Sequence, residues 1–278
     1  MPRISFWASC RKRHGGCGEN RTVAVERPWG HCRRQKGRLR IVSRLLVSVV
    51  DSAEARMAHA QGADFIDAKD PEAGALGALP LATIQTIRAC LPADAVTSAV
   101  AGDDEDIGHL ADSALAIAAT GVSFVKLGLG RATARPAAVA ELGRLLGRRG
   151  RFIAVLFADE DPPLPLTISL QEAGFAGVML DTRQKKGIRL PDLLTTDQLA
   201  SFVADCRRLD LMCGLAGSLR LEDIEPLAAL GPDYLGFRGG LCLAGDRRSQ
   251  LDPLAIGHAA RRLQAIRQSG QVDGEQAA

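Results

Sequence analysis

Short apolar runs alternate with amphipathic stretches from Leu45 onward. The runs are rich in β-branched and aliphatic residues and predict eight strands, at 45–50, 65–69, 95–100, 124–127, 152–156, 177–180, 211–216 and 234–237. The stretches between them have helical spacing, at 53–61, 81–90, 110–120, 136–146, 170–174, 196–208, 221–230 and 253–267. This order is typical of an α/β protein. A doubly wound open sheet has the same order, but eight evenly spaced units favour a closed (βα)8 TIM barrel.

The first 44 residues differ from the rest of the chain. They hold 12 Lys or Arg against 2 Glu and show no sustained periodicity, which predicts a disordered basic extension at 1–44. A solvated tail, an arm that binds phosphate or nucleic acid, a transit peptide, and a metal cluster of Cys10, Cys17, His31 and Cys32 all remain open for it. The barrel is expected at 45–268 and a short disordered tail at 269–278.

Composition limits the classes of function. No apolar run approaches the roughly 20 residues that span a bilayer, so no membrane partner is expected. Residues 45–278 carry 23 basic and 30 acidic side chains, a balance that argues against a nucleic-acid partner for this body. The 7 cysteines form no CxxC pair, so neither a zinc site nor a disulfide framework is predicted and a cytoplasmic location is expected.

Candidate catalytic residues follow from the barrel itself, because active sites of such barrels lie at the carboxyl ends of the strands. Asp67 and Lys69 are two apart in one strand and share a face. Lys69, Lys126 and Asp181 belong to the second, fourth and sixth strands, so we expect them in one layer of inward side chains. A lysine beside a second cation loses its proton more readily, which suits imine chemistry. A salt bridge at the barrel rim is the plainer alternative.

The last two strand loops predict an anion site. Gly217 and Ser218 follow the seventh strand, and Arg238, Gly239 and Gly240 follow the eighth. Backbone N–H groups and a guanidinium at this place commonly bind phosphate in barrels. Ordinary turn chemistry in two glycine loops is the alternative. The Gly-Leu-Gly at 128–130 lacks the third glycine of a dinucleotide fingerprint, so no nucleotide cofactor is expected.

Several motifs occur together in a fixed order along residues 44–267. They are Leu45–Ser48 with Asp51, Gly62–Asp64, Ile66–Pro71, Gly74–Gly77, Phe124–Leu129, Met179–Thr182, Lys185–Gly187, Gly214–Ser218, Arg238–Gly240 with Cys242, and Gly245–Arg247. In this combination the chain resembles the (5-formylfuran-3-yl)methyl phosphate synthase family. The resemblance leaves the basic extension outside.

The resemblance implies a TIM-barrel lyase of the carbon–oxygen class that makes the furan precursor of methanofuran, a carrier in one-carbon metabolism. The implied reaction joins two molecules of glyceraldehyde 3-phosphate into 4-(hydroxymethyl)-2-furancarboxaldehyde phosphate and releases phosphate and water. It implies Lys69 as the Schiff-base lysine and Lys126 as the proton acceptor, with Asp67, Asp181 and Lys185 around them. No cofactor or metal is expected, the partners are triose phosphates, and a homo-oligomer is left open.

Ser48 and Asp159, at the ends of the first and fifth strands, complete the expected substrate- and phosphate-binding set with the two glycine loops. Two other functions stay open at this point. One is a Schiff-base aldolase that acts on another sugar phosphate, and the other is a phosphate-binding barrel without catalysis.

Overall fold

The computed structural model describes residues 43–184 and 187–275. Eight parallel strands close into a barrel in chain order. Their bounds are β1 Arg44–Val49, β2 Phe65–Ala68, β3 Val96–Val100, β4 Phe124–Leu129, β5 Phe152–Phe157, β6 Gly177–Asp181, β7 Met212–Leu215 and β8 Tyr234–Phe237. The first strand pairs with both β2 and β8, which leaves no free sheet edge. The predicted barrel is therefore confirmed and the open sheet is excluded.

Helices follow the strands on the outside of the barrel. The α-helices of the described residues are α1 Ser52–Ala60, α2 Leu81–Ala89, α3 Ile107–Ala118, α4 Pro136–Leu146, α5 Thr167–Glu172, α6 Leu190–Leu193, α7 Thr196–Arg208, α8 Ile224–Ala229 and α9 Pro253–Glu275. Short 3-10 turns precede α5 and α8. Three of the helices run into the next strand through Gly62, Gly121 and Gly174, all at positive φ as the sequence predicts. The helix α6 was not predicted, since four residues carry no helical period.

The ends of the chain compare with the predicted boundaries as follows. Residues 1–42, nearly the whole of the predicted basic extension, lie outside the described residues. The last helix, α9, continues to Glu275 and so passes the predicted barrel boundary at 268 into the segment predicted as a tail. Every described helix is too short or too polar to cross a lipid bilayer.

The outer core lies between the strands and the helices. Val125 and Leu127 of β4 are buried there with Leu110 of α3 and Val139 of α4. Burying one such aliphatic side chain contributes roughly 1.5–3 kcal/mol to stability. Many interface positions are alanines, such as Ala111 and Ala114 on α3, and small side chains let the helices lie close against the sheet.

The inner core consists of layers of side chains from alternate strands. From the strand register, β2, β4, β6 and β8 contribute a bottom layer of Phe65, Phe124, Gly177 and Tyr234, a middle layer of Asp67, Lys126, Met179 and Gly236, and an outer layer of Lys69, Gly128, Asp181 and Arg238. In the bottom layer the ring of Phe65 lies 5.3 Å from that of Tyr234 and 6.5 Å from that of Phe124. Aromatic packing thus closes the amino end of the barrel, where Arg44 and Arg151 lie over the rings of Phe65 and Phe124. The lysines and aspartates of the interior lie in the two layers above.

Candidate active site

A lysine and an aspartate form a buried ion pair inside the barrel. Lys126 Nζ lies 2.7 Å from Asp67 Oδ2. The side chain of Asp67 is completely buried and Lys126 is 1% exposed. Ser48 Oγ donates to Asp67 Oδ2 at 2.9 Å, and Ser98 Oγ donates to Asp67 Oδ1 at 2.6 Å. Three donors, on β1, β3 and β4, therefore hold this carboxylate in place, because buried charges persist only when they are paired and hydrogen-bonded.

Burial lowers the pKa of Lys126, because the interior solvates an ammonium group poorly. The charge of Asp67 opposes this effect, whereas the positive charge of Lys69 adds to it. The net pKa lies below that of an ordinary lysine. A lysine in this environment exchanges a proton more readily than one on the surface, which is what a general acid or base requires.

A second lysine and aspartate meet one layer farther out. Lys69 Nζ lies 3.4 Å from Asp181 Oδ2, and the side chains are 11% and 3% exposed. The backbone N–H of Lys69 donates to the carbonyl of Val49 at 3.0 Å, which fixes the start of the loop after β2. Asp181 Oδ1 accepts from the N–H of Thr182 at 2.7 Å. Lys69 therefore stands at the inner end of the barrel mouth, where a small molecule can reach its amine.

The strand register corrects the prediction that Lys69, Lys126 and Asp181 lie in one layer. Lys69 and Asp181 do share a layer, but Lys126 lies with Asp67 in the layer below. Strands of a barrel are staggered, so residues at the same level differ in position from strand to strand by an amount that the sequence pattern does not contain. The result is a vertical stack of two lysine–aspartate pairs instead of one ring.

A cavity of about 490 Å³ opens from these pairs to the carboxyl end of the barrel. Of the predicted site residues, it is lined by Ser48, Lys69, Lys126, Asp181, Gly217, Ser218, Arg238, Gly239 and Gly240. Its volume suits ligands of the size of sugar phosphates. Asp67 does not line the cavity, but it pairs with Lys126, which does. Lys185 lies outside the described residues, and its predicted role stays a prediction.

The loops after β7 and β8 present backbone N–H groups at this cavity. Gly217 and Ser218 have φ values of 109° and 51°, so the chain turns sharply directly after β7. Among the described residues, the N–H groups of Ser218, Leu219, Gly239 and Gly240 donate to no protein acceptor. A Cβ at Gly240 would collide with the carbonyl of Leu219, so the two loops lie in direct contact. These features are those of an anion site.

Arg238 was expected to bind a phosphate group, but its guanidinium contacts protein groups instead. Its guanidinium pairs with the carboxylate of Glu54 on α1 and donates to the carbonyl of Ser48 at 3.1 Å. It also donates to the carbonyls of Arg247 at 2.9 Å and Ser249 at 3.2 Å. The side chain is thus committed to holding the loop after β8, although it borders the cavity.

Asp159 does not line the cavity. Its two carboxylate oxygens accept from the N–H groups of Arg183 and Gln184, each at 2.8 Å, so it fixes the loop after β6. The guanidinium of Arg183 pairs with Asp103 and Glu160 and lies 4.0 Å from the ring centroid of Phe157. This loop leads directly into the segment that carries Lys185, and we expect Asp159 to act through its position.

Two residues of the site were not predicted. Ser98 could have been suspected from its inward position on β3, but a serine in a strand carries no sign of its partner. Arg247 lines the cavity and was noted only as part of a motif. No group of three or more His, Cys, Asp or Glu side chains within residues 43–184 and 187–275 is placed to bind a metal ion.

Solved structures with similar folds include phosphoribosyl anthranilate isomerase from Thermus thermophilus, with a TM-score of 0.58 and 16% identity. That match covers 80% of this chain and 99% of the other. A 3-keto-L-gulonate-6-phosphate decarboxylase from Vibrio cholerae matches with a TM-score of 0.54 and 14% identity, over 80% of this chain and 98% of the other. At such identities the likeness supports the fold alone.

Sequence comparison is more specific. A (5-formylfuran-3-yl)methyl phosphate synthase from Methanopyrus kandleri is 38% identical over 216 residues, which cover 73% of this chain and 91% of that protein. A protein from Methylorubrum extorquens that is provisionally named as the same synthase is 52% identical over 222 residues, covering 80% and 92%. The family model described as 4-HFC-P synthase matches residues 45–260, from β1 into α9. This chain therefore belongs to the 4-HFC-P synthase family.

Proposed function

We propose that this protein condenses two molecules of glyceraldehyde 3-phosphate into 4-(hydroxymethyl)-2-furancarboxaldehyde phosphate. One phosphate and two waters leave, which balances all atoms of the two trioses. The product would serve as the furan precursor of methanofuran. Family membership and the names of the relatives support the proposal.

The observation that carries the proposal is the stack of two lysine–aspartate pairs beneath one cavity. Lys69 is 11% exposed and pairs with the buried Asp181, and Lys126 with Asp67 is buried in the layer below. Imine catalysis needs an amine that reaches the carbonyl and a second group that moves protons. Lys69 suits the first role by its position at the mouth, and Lys126 suits the second by its depth and lowered pKa.

In the proposed first step, the neutral amine of Lys69 attacks the aldehyde carbon of one triose phosphate. The carbinolamine loses water and leaves a protonated imine, whose positive charge Asp181 stabilises across 3.4 Å. The imine withdraws electrons and acidifies the C–H bond at the adjacent carbon. That proton passes to the neutral amine of Lys126, and the electron pair forms an enamine.

The enamine is the branch point for the remaining chemistry. Its electron pair can attack the aldehyde carbon of the second triose, which forms the carbon–carbon bond, or expel phosphate from the neighbouring carbon. Both steps use the same two lysines, so the site serves either order. Two waters leave the carbon skeleton as the ring closes and becomes aromatic. Hydrolysis of the imine takes up the water that the carbinolamine released and frees Lys69.

The glycine loops after β7 and β8 would hold a phosphate group during these steps. The N–H groups of Ser218, Leu219, Gly239 and Gly240 are available to it without rearrangement of the backbone. A fixed phosphate orients the aldehyde carbon of the same molecule toward Lys69, and proximity of this kind can supply several kcal/mol of the barrier reduction.

The proposal is tested by incubating the protein with glyceraldehyde 3-phosphate while phosphate release is followed by 31P NMR and furan formation by ultraviolet absorbance. We expect one phosphate per furan, and loss of both in Lys69→Ala. A new phosphorylated sugar without phosphate release would instead identify an aldolase. Neither product from the intact wild-type protein would leave a binding barrel and overturn the proposal.

A further inference from the structure

The condensation brings two phosphate groups into one cavity, and the glycine loops account for a single phosphate. Such an arrangement calls for a second cation or donor set at the barrel mouth. Arg238, the expected guanidinium, is committed to Glu54 and to three carbonyl groups. The second phosphate must therefore be recognised by another group of the cavity wall.

Arg247 is the guanidinium in the required position. It lies on the loop after β8, lines the cavity and is half-buried. Among the described residues it forms no ion pair, and its guanidinium donates one hydrogen bond, from Nη2 to the carbonyl of Gly74 at 2.7 Å. A partly desolvated arginine without a carboxylate partner is well suited to an anion, because its planar fork matches the oxygens of a phosphate.

A hydrogen bond from the side chain of Arg238 fixes the backbone of Arg247. Its carbonyl accepts from Arg238 Nε at 2.9 Å, and Arg238 is itself fixed by Glu54. The chain of contacts from α1 through Arg238 therefore sets where the Arg247 side chain enters the cavity. The carbonyl of Gly74, on the loop after β2, is a neutral partner that a charged phosphate can replace.

We propose that Arg247 binds the phosphate group of the second triose phosphate, while the glycine loops hold the phosphate of the first. The inference rests on the proposed function for the identity of its ligand. A guanidinium that borders the cavity and donates to one neutral carbonyl among the described residues attracts a dianion electrostatically and orients it through paired N–H groups.

The neighbouring arginine provides a matched control. Arg248 pairs with Glu72 at 3.2 Å, both side chains are largely exposed, and Arg248 does not line this cavity. Arg247→Gln and Arg248→Gln remove the same charge from adjacent positions of the same loop. A change confined to Arg247→Gln thus reports the guanidinium in the cavity, not the total charge of the protein.

Glycerol 3-phosphate is a suitable probe, because it carries the phosphate of the substrate but has no aldehyde and forms no imine. Isothermal titration of the wild-type protein should show two sites. In Arg247→Gln we expect one of them to weaken about 10- to 100-fold, the range expected for a lost charge-assisted contact. Arg248→Gln should match the wild type, and Arg247→Lys should weaken the site less than Arg247→Gln.

Two sites of unchanged affinity in Arg247→Gln would overturn the assignment, as would equal weakening in Arg248→Gln. Melting temperatures of all three variants verify that each is folded. Because the titration involves no turnover, it tests phosphate binding by Arg247 independently of the proposed reaction. The wild-type protein could make no furan and still bind glycerol 3-phosphate at two sites, one of which weakens in Arg247→Gln. That result would refute the proposed reaction and retain the phosphate site at Arg247.

Discussion

Replacing Asp67 by Asn tests how the buried pair tunes Lys126. The substitution keeps the size of the side chain and one oxygen, which can accept from Ser48 or from Ser98, and an amide nitrogen replaces the other oxygen. It removes the charge 2.7 Å from the ammonium. At that distance, an effective dielectric constant of about 20 gives an attraction of about 6 kcal/mol. Breaking one side of a buried pair costs about 3–5 kcal/mol in practice, and we expect that loss of unfolding free energy at neutral pH.

The direction in which the unfolding free energy changes with pH follows from the pKa of Lys126. In Asp67→Asn the pKa of Lys126 falls further below its ordinary value, because the largest effect that raises it is gone. The folded variant then binds fewer protons than the unfolded chain between the lowered pKa and the unfolded one, so its stability rises with pH in this window. The difference in unfolding free energy between the wild type and Asp67→Asn should therefore narrow as the pH is raised from the Lys126 pKa of the variant to that of the wild type.

The assay is a pH titration of 13Cε-labelled lysine by NMR, together with urea unfolding at several pH values. The acidic limb of kcat/KM, which reports the neutral form of Lys126 in our mechanism, should move to lower pH in Asp67→Asn. Asp181→Asn should displace the Lys126 titration less, because Asp181 is the weakest of its charged influences. An Asp67→Asn variant in which Lys126 titrates as in the wild type, or at higher pH, would refute the reasoning.

Three further substitutions test other parts of the site. Lys126→Gln should keep formation of an imine but lower turnover about 10²- to 10⁴-fold, as measured by trapping and by steady-state kinetics. Gly240→Ala should lower the unfolding free energy by about 1–3 kcal/mol and raise KM, because the new Cβ meets the carbonyl of Leu219. An unchanged KM would show that the contact between the two loops does not determine substrate binding. Glu54→Gln should cost about 2–4 kcal/mol and raise KM through Arg238, whereas normal binding would refute that coupling.

The barrel was predictable because its information is local. Alternating apolar runs and amphipathic stretches fixed the number and order of the strands, and the prediction for α4 agrees with the structure at both ends. The predictions for α7 and β8 agree at both ends as well, whereas other boundaries differ by a few residues. The helix α3, for example, begins at Ile107 after the cap by Asp106 instead of at 110. Capping by a side chain extends a helix beyond its apolar period.

The candidate site was predictable only in part, since its geometry is set by contacts between distant segments. Lys69, Lys126 and Asp181 could be selected because charges within buried strands need a reason. The depth of Lys126 depends on the stagger of the barrel, which no local pattern encodes. The commitment of Arg238 to Glu54 likewise depends on α1 lying against the loop after β8, a contact across the closure of the barrel.

The most direct test of the account is reduction with borohydride in the presence of glyceraldehyde 3-phosphate, followed by peptide mass spectrometry. Our mechanism predicts one reduced triose adduct on Lys69 in the wild-type protein and in Lys126→Gln, and none in Lys69→Ala. An adduct on Lys126 instead would exchange the roles of the two lysines. Turnover of the substrate with no adduct on either lysine would contradict imine catalysis at this site.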